Sequence, residues 1–272
     1  MNDREYGIAP PGYRLPNATR LGRVRLQVAD LDRSLGFYQG LVGLRLLRRE
    51  DGMAELGAPE SDEVLVELRE RPGVRPVPYR GLIGLYHFAI LLPDRAALGR
   101  FLRHLGASGV RAGMSDHLVR EALYLTDPDG LGLEVYADRP RSTWLHHDGQ
   151  LAMTTAPLDI RDVLAAGGDE PWSGVPAGTV IGHVHLYVDD IEAGAAFYHE
   201  RLGFDKVVWS YPGALFVSAG GYHHHLGMNT WAAGSPVATD EDARLLEWEI
   251  VAPGAESSVA QDPWGTAVRI RG

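Results

Sequence analysis

Residues 21–44 read LGRVRLQVADLDRSLGFYQGLVGL, and residues 181–204 read IGHVHLYVDDIEAGAAFYHERLGF. Val28, Asp30, Phe37, Tyr38 and Gly43 recur as Val188, Asp190, Phe197, Tyr198 and Gly203, all at one offset of 160 (188 − 28). Five coincidences at a single spacing mark an internal repeat. Each copy opens on alternating apolar and polar residues, the period of a half-buried strand. An Asp follows, placed to accept from the free amides of a helix start. The Phe-Tyr pair lies on that helix and reads as core packing, and the Gly ends it.

Working outward, GLYHFAILLPDRAALGRFLRHLGASG (84–109) is a third copy of strand, turn and helix, continued by strands in EALYLTDPDG (121–130) and LGLEVYA (131–137). The turn Asp127-Pro128-Asp129-Gly130 has a mechanism, since Pro presets φ and Gly accepts a positive one. LLEWEIVAP (245–253) and DPWGTAVRI (262–270) form a fourth copy that keeps the turn as Asp262-Pro263-Trp264-Gly265. Only eight residues (254–261) part its first strand from that turn, too few for the helix. The fold class predicted is therefore α+β, with paired βαβββ modules forming two open β-barrel-like domains, the fourth module shortened. The expected limits are an N-terminal arm over 1–17, a first domain over 18–140, a linker over 141–177 and a second domain over 178–272. The linker carries Pro, Gly and charge without a clear period and reads as a strap across the surface.

An apolar fraction of 45% with 23% charged residues fits a folded, water-soluble domain. A net charge of −10 argues against nucleic acid or an anionic membrane as partner. No apolar run reaches the ~18 residues of a membrane span, and the first residues lack the pattern of an export signal. A cytoplasmic location is expected. With no cysteine, any metal must be held by His and carboxylate.

The eleven histidines are unevenly placed. His87 falls on the first strand of the second unit and His183 on the aligned position of the third. The first unit has Arg23 there and the fourth Glu247. On the last strand the second unit has Glu134, and laying Gly130 on Gly221 sets His225 opposite it, with Arg269 at that level in the fourth. A lone strand histidine is ordinarily a hydrogen-bonded structural residue, but aligned positions point to ligation. Two His and one Glu with open positions form the ligand set of non-haem Fe(II) oxygenases. Neutral imidazoles and one carboxylate leave such a centre at +1, suited to an anionic bidentate ligand and O₂. In Tyr222-His223-His224-His225, alternation puts His223 and His225 on one face and His224 on the other. His185 shares a face with His183 and is a supporting candidate, as is His223. His104, His199, His146 and His147 read as surface residues.

The Asp-Leu…Phe-Tyr repeat, Tyr86-His87-Phe88-Ala89, Asp127-Pro128-Asp129-Gly130 and Leu133-Glu134-Val135-Tyr136 resemble the vicinal-oxygen-chelate superfamily of glyoxalases, bleomycin resistance proteins and extradiol dioxygenases. SDHLVREALYLTDPDG, TVIGHVHLYVDDIEA and GGYHHHLGMNTW are similar to its catechol 2,3-dioxygenase branch. The resemblance covers about residues 20–270. It implies an extradiol ring-cleaving oxidoreductase of aromatic-compound degradation. Its metal would be Fe²⁺ (or Mn²⁺) on His87, His183 and Glu134, and its reactants a small aromatic diol and O₂. It further implies Tyr124 and His117 as catalytic residues hydrogen-bonding the substrate, and a further histidine acting on the proton and dioxygen; the 222–225 run supplies candidates, with His225 preferred over His223 for its alignment with Glu134. The usual extradiol pattern keeps the metal within the later domain, yet here that domain offers Arg269 where a Glu is needed. Units two and three together supply a full triad, so they are expected to share one barrel, with units one and four as a metal-free counterpart. The resemblance leaves open a glyoxalase-like isomerase or thiol transferase, and a non-catalytic protein that traps aromatic drugs. Assembly into homo-oligomers is also left open.

Overall fold

Alternation over Arg20–Val28 forms β1, which stops where Asp30 caps the next helix by accepting from the Arg33 amide. In this computed structural model, which describes residues 6–272, the same opening recurs in each unit except the last. Unit one continues with α1 (Leu31–Leu35), which widens into a π-turn over Gly36–Leu41, then β2 (Arg45–Glu50), β3 (Met53–Gly57) and β4 (Val64–Glu70). Unit two comprises β5 (Gly84–Leu91), α2 (Arg95–Ala107), β6 (Gly113–Asp116), β7 (Arg120–Thr126) and β8 (Gly132–Asp138). The segment between the halves carries β9 (His146–His147), β10 (Gln150–Leu151) and α3 (Ile160–Ala166). Unit three has β11 (Val180–Tyr187), α4 (Ile191–Ala195) with a π-turn over Ala196–Arg201, β12 (Asp205–Val208), β13 (Ala214–Ser218) and β14 (Leu226–Asn229). Unit four keeps β15 (Arg244–Val251), β16 (Ser258–Gln261) and β17 (Ala267–Arg271), without a helix. The architecture is the mixed α+β one, with curled sheets and few helices.

The sheets do not follow the halves of the sequence. One sheet runs β12-β13-β14-β11-β5-β8-β7-β6, joining units two and three. The other runs β16-β17-β15-β1-β4-β3-β2, joining units one and four. Residues 18–140 and 178–272 therefore each divide between two sheets. Neighbouring units are tied by a different device. Tyr38, fully buried on the helix of unit one, donates to Asp127 in the turn of unit two at 2.9 Å. Tyr198 does the same to Asp262 in unit four at 2.8 Å. In each turn the same Asp accepts backbone amides through its other oxygen. The repeated Tyr and the repeated turn Asp are thus partners, and the Tyr is more than core filler.

At the centre of the second sheet, where the other holds histidines, lies an ion-pair network. Arg23 reaches Glu67 and Glu249, each at 2.9 Å, Arg25 reaches Glu67 at 2.9 Å, and Arg269 reaches Glu247 at 2.9 Å. These partly buried charges are paired with one another.

Of the expected arm, residues 1–5 lie outside the described residues. The remainder packs along unit three: Ile8 bridges Lys206, Arg14 pairs with Asp205 at 2.8 Å, and Leu15 is buried. Gly203 adopts φ +93°, and a Cβ there would lie 2.5 Å from the Tyr13 carbonyl oxygen, so both its backbone shape and the arm require glycine. The 141–177 segment differs from its expected form. It has its own small hairpin and a helix packed on α2, and Met153, Thr154 and Thr155 reach the wall of the principal cavity. Among the described residues no helix is long and apolar enough to cross a membrane.

Candidate metal centre

β5 and β11 run antiparallel at the middle of their sheet, with His87 opposite His185 and Ala89 opposite His183. β8 runs parallel to β5 with Glu134 beside Ala89. His183, Ala89 and Glu134 therefore lie side by side across three strands, with His87 one pleat away on the same face. The small Ala89 leaves a space over which the larger side chains close. Glu134 Oε2 lies 3.0 Å from His87 Nε2 and 3.1 Å from His183 Nε2. All three residues are buried, and their ligand atoms lie within 4.8 Å of one another. Among the described residues this is the one such grouping. His87 Nε2, although close to Glu134, is not aligned for a hydrogen bond. A buried ring nitrogen without a hydrogen-bond partner, close to a carboxylate, suits a bound cation.

Burial alone would raise the Glu134 pKa, but the adjacent Arg120 charge and the histidine contacts outweigh it and hold the carboxyl well below the usual range. Arg120 Nε donates to Glu134 Oε1 at 2.7 Å, which leaves Oε2 for the imidazoles. Burial holds His183 well below its ordinary pKa, so this ring stays neutral and ligand-competent.

A cavity of about 580 Å³ opens beside His87, walled by Tyr86, Tyr124, Tyr211, Phe216 and Trp231. Tyr124 sits on β7 directly opposite Glu134. His117 Nδ1 lies 2.6 Å from the Thr154 carbonyl, so the proton resides on Nδ1 and Nε2 accepts from the Tyr124 hydroxyl at 2.7 Å. Burial, then Arg120, lowers the His117 pKa to about 4, and burial raises Tyr124 well above 10. Both are neutral at physiological pH.

The histidine run requires a correction. His225 does not stand opposite Glu134. Its Nδ1 accepts from the Ala219 amide at 3.2 Å and faces Ser218, and the residue is not in the cavity wall. The unit-two connection from β7 to β8 spans 127–131, five residues, whereas that from β13 to β14 spans 219–225, seven. Two extra residues shift the match by two. Glu134 lies beside Ala89, two after His87, and Gly227 lies beside His185, two after His183. Gly227 therefore holds the place of Glu134 in unit three and offers no ligand. A Cβ there would lie 2.9 Å from the His185 ring, so that imidazole fills the space instead. His185 Nε2 is bonded to Asn229 at 2.9 Å and faces the cavity 5.0 Å, ring to ring, from His87.

Residues 222–225 lie outside any strand, so alternation does not apply to them. His223 is tied to Asp138 at 2.9 Å. His224 packs on His183 with ring centroids 4.2 Å apart, and its Nε2 is buried without a partner. His199, expected at the surface, is buried with Nδ1 on the Phe204 carbonyl at 2.7 Å. The sequence reading also missed Arg120. Arg120 shares one face of β7 with Ala122 and Tyr124, and that alternation is the signal that could have placed it at the site.

Burial holds His183, His185, His223 and His224 below 6.5, and sets His225 at about 3 and His117 at about 4. From pH 6.5 down to about 3 the unfolded chain binds protons that the folded chain refuses, so stability falls as pH falls. Burial raises Asp127 to about 6 and also raises Asp262, which opposes the trend with fewer groups. Chelator-treated protein should show a urea midpoint that is level above about pH 7 and declines steadily toward pH 4. A level midpoint across that range would contradict this account.

Curled sheets of paired βαβββ units, with two imidazoles and a carboxylate converging inside one of them, define the vicinal-oxygen-chelate class. The chain belongs to the Glyoxalase/Bleomycin resistance protein/Dioxygenase superfamily, whose family model matches residues 20–135 and 180–241. It is 48% identical over 236 residues to the catechol-2,3-dioxygenase of Bacillus subtilis (strain 168), covering 86% of this chain and 82% of that one. The lactoylglutathione lyase of Neisseria meningitidis is 30% identical over 123 residues, covering 42% of this chain and 88% of its own. Glyoxalase I from Zea mays shares the fold, with a TM-score of 0.54 at 18% identity over 93% of this chain and 92% of its own.

Proposed function

We propose that the chain is an extradiol dioxygenase that inserts both atoms of O₂ into a catechol-type ring. The observation that carries this reading is the single carboxylate oxygen, Glu134 Oε2, facing two imidazole nitrogens at 3.0 and 3.1 Å beside an aromatic-walled cavity. The 48% identity to a catechol-2,3-dioxygenase supports it. His87, His183 and Glu134 would hold Fe²⁺, with Mn²⁺ fitting the same ligands. The ion would supply Lewis acidity toward the diol and the one-electron chemistry that lets ground-state O₂ react with an aromatic ring.

The remaining chemistry falls to the chain. Gly227 offers no ligand, so unit three adds His183 alone to the set that would hold the ion. Tyr86, Phe216 and Trp231 provide flat surfaces for a ring. The Tyr124 oxygen, its own proton directed at His117, accepts from a diol hydroxyl. A proton leaving the diol passes to Tyr124 as the Tyr124 proton passes to His117 Nε2, and returns by the same route. His224, its ring packed on His183, is a buried imidazole adjoining a residue that would hold the ion. Catechol and O₂ together supply every atom of a ring-opened hydroxy-aldehyde acid, so no external reductant is consumed. For the lyase reading, Gly227 provides no fourth ligand, and the lyase relatives match less than half of the chain.

Anaerobic loading with Fe²⁺ followed by an oxygen electrode and visible absorbance tests this reading. The expected result is one O₂ consumed per catechol, with a yellow ring-fission product. Metal-loaded protein that leaves both oxygen and a panel of catechols untouched would refute it.

A further inference from the structure

Arg120 is 3% exposed, its guanidinium carbon 5.7 Å from the Tyr136 ring centroid, and it lines the cavity beside His117 and Tyr124. One edge of the guanidinium is committed, since Nε donates to Glu134 Oε1. Nη1 is buried and has no hydrogen-bond partner. A cationic N–H taken out of water without an acceptor is costly unless a ligand supplies one.

The charge count points the same way. Ligating imidazoles are neutral, and the −1 of Glu134 is cancelled by the +1 of Arg120. A divalent ion at the centre would therefore keep its full +2, where two imidazoles and a carboxylate alone would leave +1. Glu121 is already engaged, pairing with Arg95 at 2.5 Å and Arg139 at 3.1 Å, and Asp138 is partly open to solvent against the His223 ring at 2.9 Å. A buried site with an uncompensated double charge favours a ligand that brings two negative charges.

We propose that Arg120 makes this centre a site for dianionic oxygen ligands, so that a catechol is held with both hydroxyls ionised and the free Nη1–H as a donor to it. One diol proton passes to the buffer on binding and the other along Tyr124 to His117 Nε2. Arg120 also acts as a positioning residue, leaving Glu134 a single oxygen for the metal. The inference rests on the ring-cleaving reading for the class of ligand, but its test needs no turnover.

The probe is 4-nitrocatechol, whose monoanion and dianion differ in colour. It is titrated without oxygen into Zn²⁺-loaded protein, at a pH below its second ionisation in water. Wild-type protein should show the dianion spectrum. Arg120→Leu should show the monoanion spectrum, with binding weaker by about ten- to hundredfold. Arg120→Lys, which keeps the charge, should retain the dianion. A monoanion spectrum with the wild type, or a dianion spectrum with Arg120→Leu, overturns the proposal while leaving the ring-cleaving reading standing. If Arg120→Leu does not fold, the wild-type and Arg120→Lys spectra decide. Absence of any binding to the wild type overturns the catechol reading, and this proposal with it.

Discussion

Glu134→Ala is expected to purify without metal, to lose ring-cleaving turnover and to unfold well below the parent temperature. The first two losses follow from removing the ligand atom on which both imidazoles converge. The third follows from what remains. Arg120 is 3% exposed and its Nε has Glu134 as partner, so the variant leaves a buried cation without its counter-charge. Removing one member of a buried pair costs about 3–5 kcal/mol. At roughly 2–4 °C per kcal/mol for chains of this order of size, the melting temperature should drop by about 10 °C. A double-mutant cycle separates the effects. Glu134→Ala combined with Arg120→Leu should recover much of the stability and none of the metal. Full metal occupancy in Glu134→Ala, measured by elemental analysis, would remove Glu134 from the ligand set.

How far the site could be read from the sequence depends on how regular the chain is around each residue. His87 and His183 were legible because both lie on first strands of repeated units, where a fixed register carries a position from one unit to another. Glu134 was legible for the same reason, on an alternating strand behind a recognisable turn. His225 was misplaced because the matching turn in unit three is two residues longer, and an insertion in a loop leaves no mark in a strand pattern. Alternation cannot place His224, because residues 222–225 have no strand geometry. Arg120 was missed because its contact with Glu134 depends on a long side chain crossing the Tyr136 ring, not on backbone register. The pairing of units two and three was legible for a chemical reason: Arg23 stands where unit one would need a His and Arg269 where unit four would need a Glu, so units two and three together supply the full triad. Those charges form the network that fills the second sheet. The part of the 141–177 segment in the cavity wall had no sequence signal at all, because Thr154 bonds His117 through its backbone carbonyl, a group every residue carries.

That carbonyl also fixes the expected behaviour of the His117–Tyr124 pair. Since Thr154 holds the Nδ1 proton, His117 can meet Tyr124 only as an acceptor, and in the proposed reaction the two would act as one proton-handling unit. His117→Ala and Tyr124→Phe should each lower turnover by roughly 10²–10⁴ at unchanged metal content. Their double variant should be little worse than either alone, because removing one member already breaks the relay. His117→Gln can still accept through its amide oxygen and should lose less than His117→Ala. The pH profile adds a readout that lost packing would not move. His117, held neutral to about pH 4, keeps its accepting nitrogen through mildly acidic conditions. The acid limb of turnover should therefore lie well below 6.5 in the wild type and change in Tyr124→Phe. Wild-type rates in Tyr124→Phe, or fully multiplicative losses in the double variant, would show that the two side chains do not share a proton path.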